Sequence, residues 1–285
     1  MATPLPVCHL DGTLLPLGEA RISPLDRSFL FGDGVYEVIP VYDGQPFRLA
    51  SHLQRLARSL REIRMRDPHD ADGWRQLVVS LIAANGGGDQ YVYLQVSRGA
   101  EHGRNHAPLP DISPTVFAYS SPWPEPSPAA LDRGLACITA QDTRWARCDI
   151  KSTALLANVL LRQKAVDAGA AETILLRDGL LMEGSASTVH VVLRGELVTP
   201  PDSQRILPGT TRRVVEELAT ALGIPHRAAD VDEAALRCAD EIWLAAATRE
   251  VQPVTSLDGV AVGSGRPGPI WRQVHAAYQQ LKRKG

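Results

Sequence analysis

Lysine occurs only at positions 151, 164, 282 and 284, and the remaining positively charged side chains are arginine. Lys282 and Lys284 fall in the last residues given, where a lysine is expected to be solvated and the backbone to fray. Any lysine chemistry therefore falls to Lys151 or Lys164. A polar, glycine-containing stretch from Arg98 to Leu109 separates two strand-like runs, and loops of that kind are frequent binding sites.

Several other chemistries drop out. Gly263–Gly268 reads GSGRPG and formally matches a dinucleotide fingerprint, but no strand-helix-strand unit surrounds it, so a turn before the last helix is expected. Gly184-Ser185-Ala186-Ser187 lacks the final glycine of a hydrolase nucleophile elbow. There is no Walker loop and no His-Glu-x-x-His zinc motif on a predicted helix, so no metal is expected. Arg55, Arg58, Arg61 and Arg64 step by three, fanning around half a helix, and no base-stacking aromatics accompany them. A solvated face is expected for most of them, not a nucleic-acid site.

With 285 residues, 44% of them hydrophobic and 22% charged, the chain has an ordinary globular composition and room for two domains. A net charge of -2 supplies no field that would draw nucleic acid or an anionic membrane. The first residues, MATPLPVCHLDGT, lack a signal-peptide pattern and no long apolar run follows, so a cytoplasmic protein is expected. Cys8, Cys137, Cys148 and Cys238 lie far apart and read as reduced, mostly buried thiols.

The elements that must position this chemistry can be read from periodicity. Asp11-Gly12 and Asp43-Gly44 mark hairpins in the first 48 residues. Leu53, Leu56, Leu60 and Ile63 predict a helix over 51–65, and a second is expected over 74–84. Strands are predicted at 90–97, 115–120, 135–140, 172–177, 180–183, 187–193 and 241–246, with helices over 153–168, 210–222 and 269–281. The alternating prolines of SPWPEPSPA place a linker at 121–129, between an N-terminal α/β domain, 1–120, and a C-terminal domain, 130–285.

Five ordered blocks carry a family likeness. They are Asp26–Glu37 (DRSFLFGDGVYE), His52–Leu56 (HLQRL), Arg144–Lys151 (RWARCDIK), Glu183–Ser187 (EGSAS) and Ile206–Arg212 (ILPGTTR). In that order they resemble the class IV, fold-type IV pyridoxal-phosphate aminotransferases. Arg104-Asn105-His106 after Arg98-Gly99 resembles the substrate loop of the branch that acts on D-amino acids, although Ala100–Gly103 is one residue longer here. The resemblance implies an α+β fold of two domains: a small N-terminal α/β domain and a larger C-terminal one with a β-barrel-like sheet and flanking helices.

It also implies a division of labour. Pyridoxal 5'-phosphate would be held as a Schiff base on Lys151, because an imine requires an unprotonated amine and an ordinary lysine, at about 10.4, is protonated. Lys164, inside the following helix, is left solvent-facing. Glu183 would keep the pyridine nitrogen protonated, so that the ring draws electrons from the substrate carbanion. Arg55, with Thr210 and Thr211 at a helix start, would hold the phosphate, while Leu207 packs on the ring and Arg144 approaches the phenolic oxygen. Arg104, His106 and Tyr36 would bind the substrate carboxylate, with Tyr93 lining the same pocket.

The implied reaction is ping-pong exchange of an amino group between a D-amino acid of the D-alanine or D-glutamate type and a 2-oxo acid. The implied assembly is a homodimer in which the partner supplies the arginine and histidine. The departures are Thr188 in place of an asparagine, Ala245-Ala246-Ala247-Thr248 where hydroxyls are commoner, and Arg249, which would reshape the side-chain pocket. Alternatives of the same fold are a branched-chain L-amino acid aminotransferase, an (R)-selective amine transaminase and aminodeoxychorismate lyase. An alternative of another class is a non-enzymatic anion or nucleic-acid binder.

Overall fold

The structure, a computed structural model, describes residues 3–284. Its packing divides the chain into two units. The first runs to Pro124 and takes in Ile150–Leu155, and the second comprises Glu125–Asp149 and Leu156–Lys284. The divide at 124/125 falls inside the proline-rich stretch. A boundary at that linker alone puts residues 150–155 in the C-terminal domain, whereas they pack with the first unit, because strand pairing over a long sequence separation holds them there.

In the first unit the elements are β1 (Val7–Leu10), β2 (Thr13–Pro16), α1 (Arg27–Phe31), β3 (Gly34–Tyr42), β4 (Gln45–Pro46), α2 (Leu49–Glu62), α3 (Ala71–Ala84), β5 (Gln90–Ser97) and β6 (Thr115–Pro122). The strands form one antiparallel sheet in the order β2-β1-β6-β5-β3-β4. Alternation decides its faces. Val35, Ile39, Val92, Leu94 and Val96 are buried with Leu53, Leu56 and Leu60 of α2 and Trp74, Val78 and Leu81 of α3. The other face carries the half-buried Tyr36, Tyr93 and Gln95. Helix α1 is the correction to the first stretch, which reads as strands and turns. Asp26 caps it by accepting from the Ser28 amide, an end signal that fits a single short turn of helix.

Strand β3 pairs with β5 along Gly34–Val41, while β4 takes only the Val41–Tyr42 end of its other edge. The open part of that edge receives the 150–155 segment. The Tyr36 amide donates to the Lys151 carbonyl at 2.9 Å, and the Thr153 amide donates to the Gly34 carbonyl at 2.9 Å. Ile150 enters the core beside it. Gly34 permits this approach, since a Cβ there would lie 2.9 Å from the Val96 carbonyl oxygen and 3.2 Å from Thr153 Oγ1.

The second unit contains α4 (Pro128–Arg133), β7 (Leu135–Gln141), α5 (Leu156–Asp167), β8 (Glu172–Arg177), β9 (Leu180–Gly184), β10 (Thr188–Leu193), β11 (Glu196–Thr199), α6 (Thr210–Ala221), β12 (His226–Ala228), α7 (Glu233–Arg237), β13 (Glu241–Ala246), β14 (Glu250–Leu257), β15 (Val260–Ala261) and α8 (Pro269–Lys282). Its mixed sheet runs β12-β11-β10-β13-β14-β7-β8-β9, with β15 on β14. The path curls, for the Gly184 amide closes a tight turn onto the Ser187 carbonyl and carries the chain from β9 at one end directly into β10. The two-domain α+β class is the one expected. Pro128 starts α4 under a Ser127 cap, so the end of the proline-rich stretch is helical, as proline in a first turn allows.

Lys282 is a second correction. It is buried, not frayed, and its ammonium donates to Glu250 at 2.7 Å, next to a 2.6 Å bond from Gln279. Tertiary packing of α8 on β14 overrides the usual behaviour of a late lysine. Lys282→Ala is expected to lower unfolding stability by about 3 kcal/mol, because a buried carboxylate loses its cation. Lys284→Ala, at an exposed position, should stay within about 0.5 kcal/mol. Equal denaturant midpoints for the two variants would refute this.

Candidate active site

Lys151 sits on the open edge of β3. Its carbonyl is fixed by Tyr36, its amide lies 3.4 Å from Ser59 Oγ on α2, and its Nζ lies 4.0 Å from the centroid of the Tyr36 ring. Tyr36 stacks on Tyr93 at 5.5 Å, and Tyr93 contacts Tyr119 at 5.3 Å, so an aromatic row runs across β3, β5 and β6. The Tyr93 hydroxyl donates to Gln95 at 2.7 Å, and burial pushes its pKa up, keeping it a neutral donor.

Beneath that row lies a buried charge cluster. Glu37 is on the core-facing side of β3 and is fully buried. Arg55 grips it in a fork, Nε to Oε1 at 2.7 Å and Nη2 to Oε2 at 2.8 Å, and His52 Nδ1 lies 2.7 Å from Oε2. Burial alone would raise the Glu37 pKa, but the charge and hydrogen bonds of Arg55, with His52, hold it down at about 2. Burial lowers the pKa of His52, against its bond to Glu37, so the ring is neutral with Nδ1–H donating. His52, Arg55 and Ser59 follow at steps of three and four on one face of α2. The fork fixes the plane of the Arg55 guanidinium.

In the second unit the carboxylate of Glu183, at the end of β9, is buried. Arg144 Nη1 donates to its Oε1, and the Leu207 amide reaches both oxygens at 3.3 and 3.2 Å. Burial pushes the Glu183 pKa up, with Arg144 opposing. Arg144 is itself aligned by Asp142, at 2.9 Å from both Nε and Nη2. Burial disfavours the Arg144 charge, but Asp142 and Glu183 outweigh it and keep the group cationic. Arg144 is thus on the very carboxylate that the family resemblance assigns to the pyridine nitrogen.

Thr210 and Thr211 open α6, and neither hydroxyl has a hydrogen-bond partner among the described residues. The preceding Gly209 offers no capping side chain, and a Cβ there would meet Thr188 Oγ1 at 2.7 Å. The start of this helix is therefore a narrow set of amides and hydroxyls suited to an anion. By chemical type, the first unit offers an amine and a planar arginine, and the second offers a supported carboxylate and a hydroxyl-bearing helix start, the kinds of group a phosphorylated pyridoxal requires.

Two further placements complete the picture. Arg104 and His106 lie on the exposed 98–114 loop against Phe31, the Arg104 guanidinium carbon 5.1 Å from its centroid and the His106 ring 5.4 Å away. Arg249 turns toward Ala171 and the buried Glu172, at 3.2 Å and 3.6 Å. Among the described residues no cluster of His, Cys, Asp or Glu is arranged to hold a metal, and no helix is long and apolar enough to cross a membrane.

Residues 34–257 match the amino-transferase class IV family. The chain belongs to the class IV aminotransferases. It is 40% identical to a D-alanine aminotransferase of Bacillus licheniformis over 94% of each chain, and 36% identical to one of Staphylococcus epidermidis over 95% of this chain and 96% of that one. Among solved structures it is similar to a T.th. branched-chain amino acid aminotransferase crystallised with pyridoxamine 5'-phosphate, at 26% identity and a TM-score of 0.91, covering 98% and 94% of the two chains.

For this class IV aminotransferase, sequence reasoning passed over the parts played by Glu37 and His52. The signal was present: within the alternation of β3, Glu37 stands at a position between the core-facing Val35 and Ile39. Asp142, which aligns Arg144, carried no such signal, for it lies just past the end of a strand. Since the folded pKa of Glu37 lies near 2, below its ordinary value of 4.5, its contribution is present above pH 4.5 and lost as pH falls toward 2. That loss is on the order of 3 kcal/mol. Thermal midpoints across this range should fall more steeply for the wild type than for Glu37→Gln, which starts lower. Parallel curves would show that Glu37 does not govern acid stability.

Proposed function

We propose that the chain transfers amino groups between D-amino acids, of the D-alanine or D-glutamate type, and 2-oxo acids, using pyridoxal 5'-phosphate held by Lys151. The observation that carries this reading is 36–40% identity with D-alanine aminotransferases over nearly the whole of both chains. When bound, the cofactor supplies an aldehyde that takes up the amino group and a ring that accepts electron density. Every other part belongs to this chain's side chains. Lys151 Nζ would hold the aldehyde and, as a free amine, would serve as the base that takes and returns the substrate's α proton. Glu183, steadied by Arg144 and the Leu207 amide, holds the proton on the ring nitrogen.

Arg55, Thr210 and Thr211 bind the phosphate, and Leu207 packs against the ring. Arg104, His106 and the Tyr36 hydroxyl hold the substrate carboxylate, with Tyr93 beside them. The reading includes a cytoplasmic homodimer. Supporting it, Leu156, Val159 and Leu160 form an exposed apolar strip on α5, at 73%, 60% and 58% exposure, and Phe29 on α1 is 78% exposed. A branched-chain L-amino acid aminotransferase is the second reading, favoured by the likeness to the solved branched-chain enzyme.

Lys151→Ala is expected to lose the borohydride-fixed chromophore and to cut transamination by at least about a hundredfold. Retention of either would end this reading. Side-by-side assays of D-alanine, L-leucine, (R)-1-phenylethylamine and aminodeoxychorismate decide the substrate class, D-alanine being turned over fastest. A preference for L-leucine would favour the second reading instead.

A further inference from the structure

The DRSFLFGDG stretch contains an arginine that the proposed chemistry leaves without a role. Arg27 is 3% exposed, so its guanidinium is cut off from water and must spend its donors on protein. Its Nε donates to Asp33 Oδ2 at 2.8 Å. Its Nη1 donates to Glu101 Oε2 at 2.9 Å and to the Asn105 carbonyl at 2.6 Å, and its Nη2 donates to the His106 carbonyl at 3.0 Å. Three of these acceptors belong to the loop between β5 and β6. Two of them are the backbone carbonyls of the adjacent residues Asn105 and His106.

We infer that Arg27 is the positioning residue for the Arg104–His106 segment, and that it sets the affinity for carboxylate substrates without touching them. The inference rests on the reading that Arg104 and His106 bind the carboxylate. Residues 98–114 contain no helix or strand, and loops of that length are usually held by specific contacts or are mobile. Here the contacts converge on one rigid, planar group. Phe31 adds a post for it: its centroid is 4.7 Å from the Arg27 guanidinium carbon, 5.1 Å from that of Arg104 and 5.4 Å from the His106 ring.

The charges are arranged to leave one cation over. Asp33 Oδ2 accepts from Arg27 and, at 2.7 Å, from Nε of Arg98, while Glu101 faces Arg27. These two carboxylates balance two arginines, and Arg104 has no carboxylate partner among the described residues. A substrate carboxylate would supply it. Glu101 ties the far end of the loop as well, because its Oε1 accepts from the Leu109 amide at 2.6 Å.

The test is a double-mutant cycle on the holoenzyme with D-alanine, with Arg27→Lys and Arg104→Ala separately and together. A lysine keeps the charge but offers three donors at a single point and cannot span the four acceptors. Arg27→Lys is expected to raise KM roughly tenfold or more, with a smaller change in kcat and an unchanged cofactor spectrum. In the Arg104→Ala background the same change should add less than about twofold, since the two act through one contact. Glu101→Ala, which cuts the tether from the loop side, should raise KM in the same way and keeps the test open if Arg27→Lys does not fold.

Fully additive effects, or an unchanged KM in Arg27→Lys, or in Glu101→Ala where Arg27→Lys does not fold, overturn the positioning role alone. An unchanged KM in Arg104→Ala overturns the carboxylate reading, and the positioning role with it.

Discussion

A backbone hydrogen bond of 2.9 Å from the Tyr36 amide to the Lys151 carbonyl fixes where Lys151 stands in the first unit. Lys151 belongs to a six-residue segment, Ile150–Leu155, that has no regular structure of its own and takes its place from the unpaired edge of β3. That edge is open because β4 is only two residues long. A backbone group at a strand edge is an obligatory donor or acceptor, so pairing here satisfies both partners and fixes the amine to a rigid sheet. The same strand then addresses both of its faces. Tyr36 meets the amine on one, and Glu37, one residue on, points into the core.

Placing Glu37 in the core carries a desolvation cost that only complete pairing offsets. Arg55 and His52 provide that pairing from a single helix face. In consequence the guanidinium is held in one orientation without needing a ligand to order it. The second unit repeats the principle with Asp142, Arg144, Glu183 and the Leu207 amide. Each carboxylate orients the arginine beside it, so that little side-chain freedom remains in either guanidinium.

The departures from the family pattern have local explanations. Thr188 crowds Gly209, so the start of β10 and the start of α6 are fitted to each other there. Arg249 is drawn to the buried Glu172, which also accepts from Ser185 and from the Thr173 amide. A charge at position 249 is therefore partly spent on structure, which limits what it can lend to a substrate.

From the sequence by itself came the chemistry and most of the elements. Five ordered blocks identified the family likeness, the scarcity of lysine narrowed the amine to Lys151 or Lys164, and apolar periodicity located β5, α3, α6 and β13 to within a few residues. These signals are local, since a helix or strand writes its period into consecutive residues. What depended on contact across long sequence separations was decided only by the tertiary structure. It put Lys151 on β3, closed Arg55 on Glu37, buried Lys282 against Glu250, and tied Arg27 to a loop about eighty positions away. Charged side chains read as solvated until a fold supplies the opposite charge, and which partner arrives is a property of packing, which no local period records.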